Sequence, residues 1–319
     1  MNRYAALAFA GLIALSLAAC QKEETAGESP AATAKATANP AEAITATAQK
    51  LKQGDVLAVI QMSVPPKHYD KMKADWKTEV NAEPVTEEDR AEFAEMMAKL
   101  TDPEAEAKLF AEAEPQLVKF ETEMAAQMPL MVGMGQGFAM QAIQANEKLT
   151  EAQKKQAGDV VGAISGWLQG VQFADRALAK QAISKAAATA RALELKSLDE
   201  ARALEFEAAM AKAGIAFNGM KDVLEVYGLK LNETFDSVKT NIVSQEGDKA
   251  KVKVDYQIFG QPLSFETEMV QIDGRWYGKD TVEQLEKELN KPAEPVADPA
   301  AEPAESDVAA EAEAESAEG

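Results

Sequence analysis

A change in the spacing of apolar residues divides the middle of the chain into two structural classes. Before about Asn232, apolar residues recur every three or four positions, which indicates amphipathic helices. After it, they alternate with polar residues, which is typical of strands with one buried face. The alternating positions are Val238, Thr240 and Ile242, then Val252, Val254, Tyr256 and Ile258, then Leu263, Phe265, Thr267 and Met269. This order predicts an α+β fold, with a long helical region before a C-terminal sheet.

Turn sequences between the alternating segments predict that the sheet is a four-stranded antiparallel meander at about residues 235–279. The turns are Glu246-Gly247-Asp248, Phe259-Gly260-Gln261-Pro262 and Asp273-Gly274. The last of these suits a tight hairpin turn, because its residues tolerate positive φ angles. Trp276 and Tyr277 fall in the last short strand, and a helix is predicted from Thr281 to Leu289.

Start and stop signals divide the preceding region into several helices. Thr86, Thr150 and Ser197 each have an acidic or amide side chain three residues later, so they are predicted to cap helix N-termini. Gly54-Asp55 is predicted to end one helix and start the next. Pro115 is expected to begin or kink a further helix. The folded part is therefore predicted to span residues 41–290.

Two flanking segments have compositions that cannot form a core. Residues 20–40 are mainly Ala, Thr, Glu, Lys and Pro without an apolar period, which predicts a disordered tether. As a flexible coil it would reach about 25 Å. Residues 291–319 are rich in Ala, Glu and Pro and strongly acidic, which predicts a disordered tail. We expect a solvated spacer there, with a cation-binding or partner-binding tail as the alternative.

The first twenty residues carry a leader with a membrane-anchoring signature. Arg3 precedes an apolar stretch that ends in Leu17-Ala18-Ala19-Cys20. This run resembles the lipobox of bacterial lipoproteins. The resemblance implies that residues 1–19 are a signal peptide and that acyl chains on Cys20 hold the protein to a membrane. Gln21, where inner-membrane lipoproteins typically have aspartate, implies the periplasmic face of the outer membrane. The alternatives are a soluble secreted protein or a buried free thiol.

The sheet carries a second resemblance, over about the last sixty residues of the folded part. Glu246-Gly247-Asp248 before alternating valines, and Asp273-Gly274-Arg275-Trp276 before the last strand, resemble the sheet of nuclear-transport-factor-two-like lipoproteins. The resemblance implies a curved sheet that closes over helices around an apolar pocket. Such pockets serve small-ligand binding, protein contacts or catalysis, and fold alone does not choose among them.

The charge of the chain excludes one class of partner. The net charge is −20, and acidic residues greatly outnumber basic ones between Glu79 and Glu123. Nucleic-acid binding requires a positive surface that displaces counterions, so nucleic acid is not an expected partner. Anionic lipid headgroups are disfavoured for the same reason. The internal acidic block is predicted to be a set of solvated helix faces.

The sequence offers little for catalysis, and no cofactor is expected. His68 is the only histidine and Cys20 the only cysteine, which rules out His-pair metal sites and Cys-His dyads other than these two. His68 follows Pro65-Pro66-Lys67, so it is expected near a helix start and partly exposed. Carboxylates are abundant, but no pair stands out as an acid-base site.

Two patterns within the helical region have competing interpretations. Gly162, Gly166 and Gly170 recur every fourth residue, which favours tight helix packing, with self-association as the alternative. Met128, Met131 and Met134 recur every third residue and resemble the methionine motifs of periplasmic copper carriers. Thioethers suit Cu(I). Methionine is also a common core filler, and a buried core role is the favoured interpretation.

Three hypotheses about function follow. The leading one is a non-enzymatic, lipid-tethered periplasmic module that binds a protein or a small apolar ligand. The second is a soft-metal carrier that uses Met128, Met131 and Met134. The third is a hydrolase that uses carboxylates, with or without His68. A closed apolar cavity between helices and sheet, with polar groups converging in it, would favour ligand binding.

Overall fold

The computed structural model of the protein describes residues 39–147 and 149–289. The predicted signal peptide, Cys20, nearly all of the tether and the acidic tail lie outside the described residues. The helices are α1 (Pro40–Gln53), α2 (Val56–Ser63), α3 (Pro66–Val80), α4 (Glu87–Thr101), α5 (Ala105–Lys119), α6 (Met128–Ala145), α7 (Glu151–Gly170), α8 (Arg176–Leu193), α9 (Leu198–Ala203), α10 (Phe206–Val226), α11 (Leu231–Asp236) and α12 (Lys279–Leu289).

Side-chain caps fix the starts of the helices at the predicted residues. Thr86 accepts a hydrogen bond from the N–H of Asp89, whose carboxylate accepts one from the N–H of Thr86 in return. Thr150 and Gln153 form the same reciprocal pair at the start of α7. Ser197 caps α9. Each cap satisfies backbone N–H groups that have no partner within the helix, and all three predictions are confirmed.

The helix that contains Pro115 does not begin there. α5 runs from Ala105 through Pro115 to Lys119, so the expected start is wrong. The surrounding Ala, Glu and Leu residues favour helix, and this preference offsets the hydrogen bond that proline cannot make. The irregularity lies further on, where a π-helix (Phe120–Met124) and a 3₁₀-helix (Ala125–Gln127) lead into α6.

The four predicted strands form one antiparallel sheet. They are β1 (Lys239–Glu246), β2 (Lys249–Ile258), β3 (Gln261–Ile272) and β4 (Arg275–Gly278), in the order β1-β2-β3-β4. Val254 pairs with Thr240 on one side and with Phe265 on the other. Two-residue turns join the strands, with positive φ at Gly247, at Phe259 and Gly260, and at Asp273 and Gly274. The α+β class and the meander are confirmed.

The main core lies between this sheet and the helices α1, α2 and α11. The inner face of β2 is buried at Val252, Val254 and Tyr256, as the alternation predicts. The helices contribute Ala43, Ala48, Leu51, Val59 and Phe235. At the edge strand β1 the alternation overstates burial. Ile242 lies beside a bulge in that strand and is 41 % exposed.

A second cluster joins α2 to α3, α10 and α12. Its buried members are Val56, Ile60, Val64, Met72, Phe206 and Leu285. The Phe206 ring meets Tyr69 and Trp76 edge to face, at centroid distances of 5.7 and 5.5 Å. Aromatic pairs favour this geometry. Helix α2 therefore contributes to both clusters and connects the sheet to the helices.

A buried lysine connects α10 to the end of α1. Lys221 donates to the carbonyl oxygens of Leu51 and Lys52 and to the side-chain oxygen of Asn232. The last carbonyls of a helix lack intrahelical partners and attract positive charge. Burial lowers the pKa of Lys221 to about 8. This lysine therefore has a structural role and was not identified from the sequence.

Close helix approach occurs at glycines other than the predicted ones. A β-carbon added at Gly214 would collide with the backbone carbonyl of Gly54, and one at Gly219 with the side chain of Thr189. At Gly162, Gly166 and Gly170 an added β-carbon would meet nothing within 4 Å. The prediction of tight packing there is wrong, because no helix of the described segments lies against that face at close range.

Candidate functional site

A two-part cleft lies where α7 and α10 end. The larger part has a volume of about 580 Å³ and is bounded by Phe120, Met128, Leu168, Phe173 and Arg176, among others. The neighbouring part measures about 470 Å³ and is bounded by Gly166, Trp167, Gly170, Leu178, Val226, Tyr227 and Gly228. Val171 and Gln172 line both parts. We call the whole space the aromatic cleft. Both volumes fall within the range of small-molecule sites.

Aromatic rings in mutual contact surround this cleft. Phe173 lies at the centre, with ring centroids 6.3 Å from Phe120, 6.4 Å from Trp167 and 5.8 Å from Tyr227. Trp167 in turn stacks on Phe259 of the β2–β3 turn at 5.3 Å. Such contacts fix the positions of the rings and leave apolar surface facing the cleft. The aromatic side chains of the cleft are therefore held in place by one another.

The π-helix and the ends of α7 and α10 position these rings. The π-helix carries Phe120, and π-turns often occur at functional sites. The Trp167 indole N–H donates to the backbone oxygen of Tyr227 at 2.7 Å, which joins the ends of α7 and α10. Gly228 follows with φ of +90°, a conformation that glycine adopts without strain. The two helix ends are thereby held against each other.

The larger part of the cleft also has charged side chains, and these are paired with other groups. Arg176 donates to the carboxylate of Glu121 at 2.6 Å and to the backbone oxygen of Ala174. Asp175 accepts from two backbone N–H groups at the start of α8. Burial raises the pKa of the Tyr227 phenol, and the charge of Asp175 adds to the rise. Both carboxylates are thus engaged in structural contacts.

The predicted space between helices and sheet exists but is small. A cavity of about 130 Å³ lies beside α1, α2 and the inner face of the sheet. Ser63, Trp276 and Tyr277 line it, and each has a buried polar side-chain atom without a hydrogen-bond partner among the described residues. Buried polar groups of this kind commonly bind ordered water. The volume accommodates a few water molecules, so the larger aromatic cleft is the better ligand site.

His68 lies at the predicted helix start but is more buried than expected. It is the third residue of α3, and only 8 % of its surface is exposed. Burial lowers the pKa of His68, the carboxylate of Glu286 partly opposes the shift, and Lys67 adds to it. His68 does not line the aromatic cleft. The expectation of partial exposure is wrong.

The three methionines do not form a core. Met128 is half-buried and lines the aromatic cleft, whereas Met131 and Met134 are 49 % and 55 % exposed. The core interpretation is wrong for the latter two, because α6 packs mainly against α7 and its outer face remains open. A spacing of three residues also turns by 300° along a helix, so successive side chains drift around it.

Comparisons with other proteins identify no relative. No known protein family, curated protein or solved structure matches this chain. Within the described segments, no group of three or more His, Cys, Asp or Glu side chains is placed to hold a metal ion. Among the described helices, none has the length and apolar content needed to cross a membrane. Residue geometry alone therefore supports the functional proposal.

Sequence reasoning missed the aromatic cleft because its rings come from distant parts of the chain. Phe120 and Phe259 belong to elements that only the tertiary fold brings near Phe173. One local signal was available. Asp175 is an N-cap residue, and it places Phe173 in the short connection between α7 and α8, where binding residues often lie.

Proposed function

We propose that the protein is a lipid-anchored, non-enzymatic module of the periplasm that binds a small apolar ligand in the aromatic cleft. The observation that carries this proposal is the ring of contacts around Phe173 beside about 580 Å³ of open space. A rigid aromatic wall favours an apolar guest, because little side-chain entropy is lost when the guest binds.

The polar groups of the cleft favour binding over chemistry. Glu121 is paired with Arg176, and Asp175 caps α8, so neither carboxylate is free to act as a general base. The amides of Gln169 and Gln172 also line the cleft and can orient a polar end of the ligand. The site therefore suits a mostly apolar molecule with one hydrogen-bonding end.

Filling the cleft tests the proposal. Gly166 lines its smaller part, and none of the described residues outside its own helix lies within 4 Å of an added β-carbon, so Gly166→Leu adds a side chain at the cleft wall without a backbone clash. Gly162→Leu is the matched control, since Gly162 is on the same helix, is equally unobstructed and lies outside the cleft. The measurement is the fluorescence of the neutral dye nile red during titration with purified protein.

We expect Gly166→Leu to weaken dye binding at least about tenfold, which corresponds to 1.4 kcal/mol. Gly162→Leu should bind like the wild type. Absence of saturable binding by the wild type, or equal loss in both variants, would refute a ligand site in the cleft.

The anchor is tested separately at Cys20. Only a thiol accepts the diacylglycerol, so Cys20→Ser is expected to remove labelling of cells by a palmitate analogue. The wild type should be labelled and should fractionate with the outer membrane. Labelling of both forms, or a wholly soluble wild type, would contradict the lipoprotein assignment and leave the cleft experiment unaffected.

A further inference from the structure

Helix α6 has an unusual composition for a surface helix of this protein. Its 18 residues include no Asp, Glu, Lys or Arg, although charged residues make up 27 % of the chain. One face packs against α7, where Val132 is buried and Met140 lies against Gly158. An apolar helix face is normally packed against another element. None of the described residues covers the opposite face of α6.

The uncovered face carries large apolar side chains in one stripe. Leu130, Met131, Met134 and Phe138 are 68 %, 49 %, 55 % and 67 % exposed. At about 100° per residue, these four positions fall within an arc of about 100° on the helix surface. We call this stripe the outer face of α6. Contiguous apolar surface of this kind marks an interaction site.

We infer that the outer face of α6 rests on the lipid bilayer that holds the protein's anchor. The inference relies on the lipid anchor of the proposed function. If acyl chains are attached at Cys20, 19 residues separate them from α1, and a flexible chain of that length reaches about 25 Å. The bilayer is then permanently close to the folded part, at a high effective concentration.

Charge favours the bilayer over a second copy of this chain or another protein. A protein interface normally has a polar rim, whereas α6 lacks charge along its whole length. Two copies would each carry a net charge of −20, and these charges repel each other. A neutral lipid interface accepts an apolar helix face without such repulsion. An apolar helix face lying in the plane of the interface is an established mode of membrane contact.

Docking in this way would also place the aromatic cleft near lipid. Met128 begins α6 and lines the cleft together with Pro129. A cleft next to the bilayer surface is suited to an apolar ligand that enters from the membrane. The ligand class implied by this geometry is therefore lipid-soluble.

The single cysteine of the chain makes a direct test practical. The chain from Cys20 onward is coupled through its thiol to a maleimide lipid in neutral phosphatidylcholine vesicles, and a matched sample is capped with a soluble maleimide. Amide hydrogen exchange of residues 128–145 is compared between the two samples. We expect exchange on the vesicles to slow at least about fivefold in this segment, with no change in β2.

Two triple variants complete the test. Leu130→Asp, Met134→Asp and Phe138→Asp together should abolish the slowing. Met96→Asp, Ile242→Asp and Val243→Asp together add the same charge at exposed apolar positions outside α6 and should preserve it.

Equal exchange in the two coupled samples, or slowing that survives the α6 triple variant, would overturn the inference. Slowing in the soluble sample that increases with protein concentration would assign the face to a second copy instead. The α6 triple variant should still bind nile red, since these three side chains lie outside the cleft. Its result therefore separates membrane docking from the ligand site.

Discussion

The sheet and the helices packed against it (β1–β4 with α1, α2, α10 and α11, which we call the sheet layer) and the α6–α7 hairpin (residues 128–170) use apolar residues in opposite ways. In the sheet layer, Val252, Val254 and Leu51 are almost completely buried. In the hairpin, Leu130 and Phe138 are exposed. A β-carbon added at residue 162, 166 or 170 would lie more than 4 Å from the described residues outside its own helix. High apolar content therefore does not identify core residues in this protein. The sheet layer buries its apolar side chains, whereas the hairpin leaves several of its large apolar side chains exposed among the described residues.

The largest expected effect would come from a charge in the sheet layer. Val254→Asp should unfold the protein, because an unpaired buried charge costs several kcal/mol against a total stability of about 5 to 15 kcal/mol. Lys253 points to the other face, where it forms an ion pair with Asp255, so Lys253→Asp should be tolerated. Urea denaturation followed by circular dichroism measures both. Equal damage would show that both faces of β2 are covered.

The buried Lys221 should make the stability of this layer depend on pH. Its pKa is lowered to about 8 in the folded protein from 10.5, so between these values the unfolded chain binds more protons than the folded one. Stability contributed through Lys221 must therefore rise with pH across this window, by about 3 kcal/mol. Below pH 8 the cost of burying the charge is present in full.

The free energy of unfolding is measured for the wild type and for Lys221→Met at about pH 7.5 and about pH 10.5, near the two ends of this window. The quantity compared is the difference between the two proteins at each pH. The difference removes contributions from exposed lysines that both proteins share. A difference that does not change with pH would mean that Lys221 titrates near its ordinary pKa.

Glycine substitutions distinguish the two regions at a smaller scale. Gly214→Ala should destabilise by about 1 to 3 kcal/mol, because its methyl group would press on the backbone of Gly54. Gly162→Ala should stabilise by up to about 1 kcal/mol, since alanine favours helix and nothing obstructs it. Thermal unfolding of the two variants checks the opposite signs. Destabilisation by Gly162→Ala would restore the packing role first predicted for that glycine.

Local signals predicted the strands and the capped helix starts well. Alternation in β2, the turn at Asp273-Gly274 and the caps at Thr86 and Thr150 depend on residues close in sequence. Backbone sterics and hydrogen bonding act at that range, so the sequence pattern suffices. The edge strand shows the limit. Burial of Ile242 depends on which elements cover it, and its alternating position does not reveal that.

The predictions that were wrong concern features that depend on long-range packing. The spacing of Gly162, Gly166 and Gly170 predicted close packing there, but the close contacts occur at Gly214, against the backbone of Gly54, and at Gly219, against the side chain of Thr189. His68 is buried, and the carboxylate of Glu286 that acts on it belongs to α12, more than two hundred residues away in the sequence. The aromatic cleft was not predicted from the sequence for the same reason. Such contacts require the tertiary arrangement, which periodicity within one element does not encode.

The smallest expected effect concerns the methionines of α6. Replacing Met128, Met131 and Met134 together with Leu keeps apolar surface and similar volume, so stability should change by less than about 1.5 kcal/mol at the half-buried Met128 and less at the other two. Slowed amide exchange of residues 128–145 on vesicles should persist, because Leu is as apolar as Met. The copper hypothesis predicts a different outcome, since the triple variant removes all three thioethers.

Competition with a Cu(I) chelator tests whether the three methionines bind copper or only contribute apolar surface. We expect that neither the wild type nor the triple Leu variant takes Cu(I) from the chelator, because Met131 and Met134 are exposed on the outer face while Met128 lines the cleft. Retention of Cu(I) by the wild type and its loss in the triple variant would show that the three methionines form a soft-metal site. The exposure of Met131 and Met134 on the outer face of α6 would then be explained by metal binding. The hairpin would differ from the sheet layer in metal binding as well as in its exposed apolar surface.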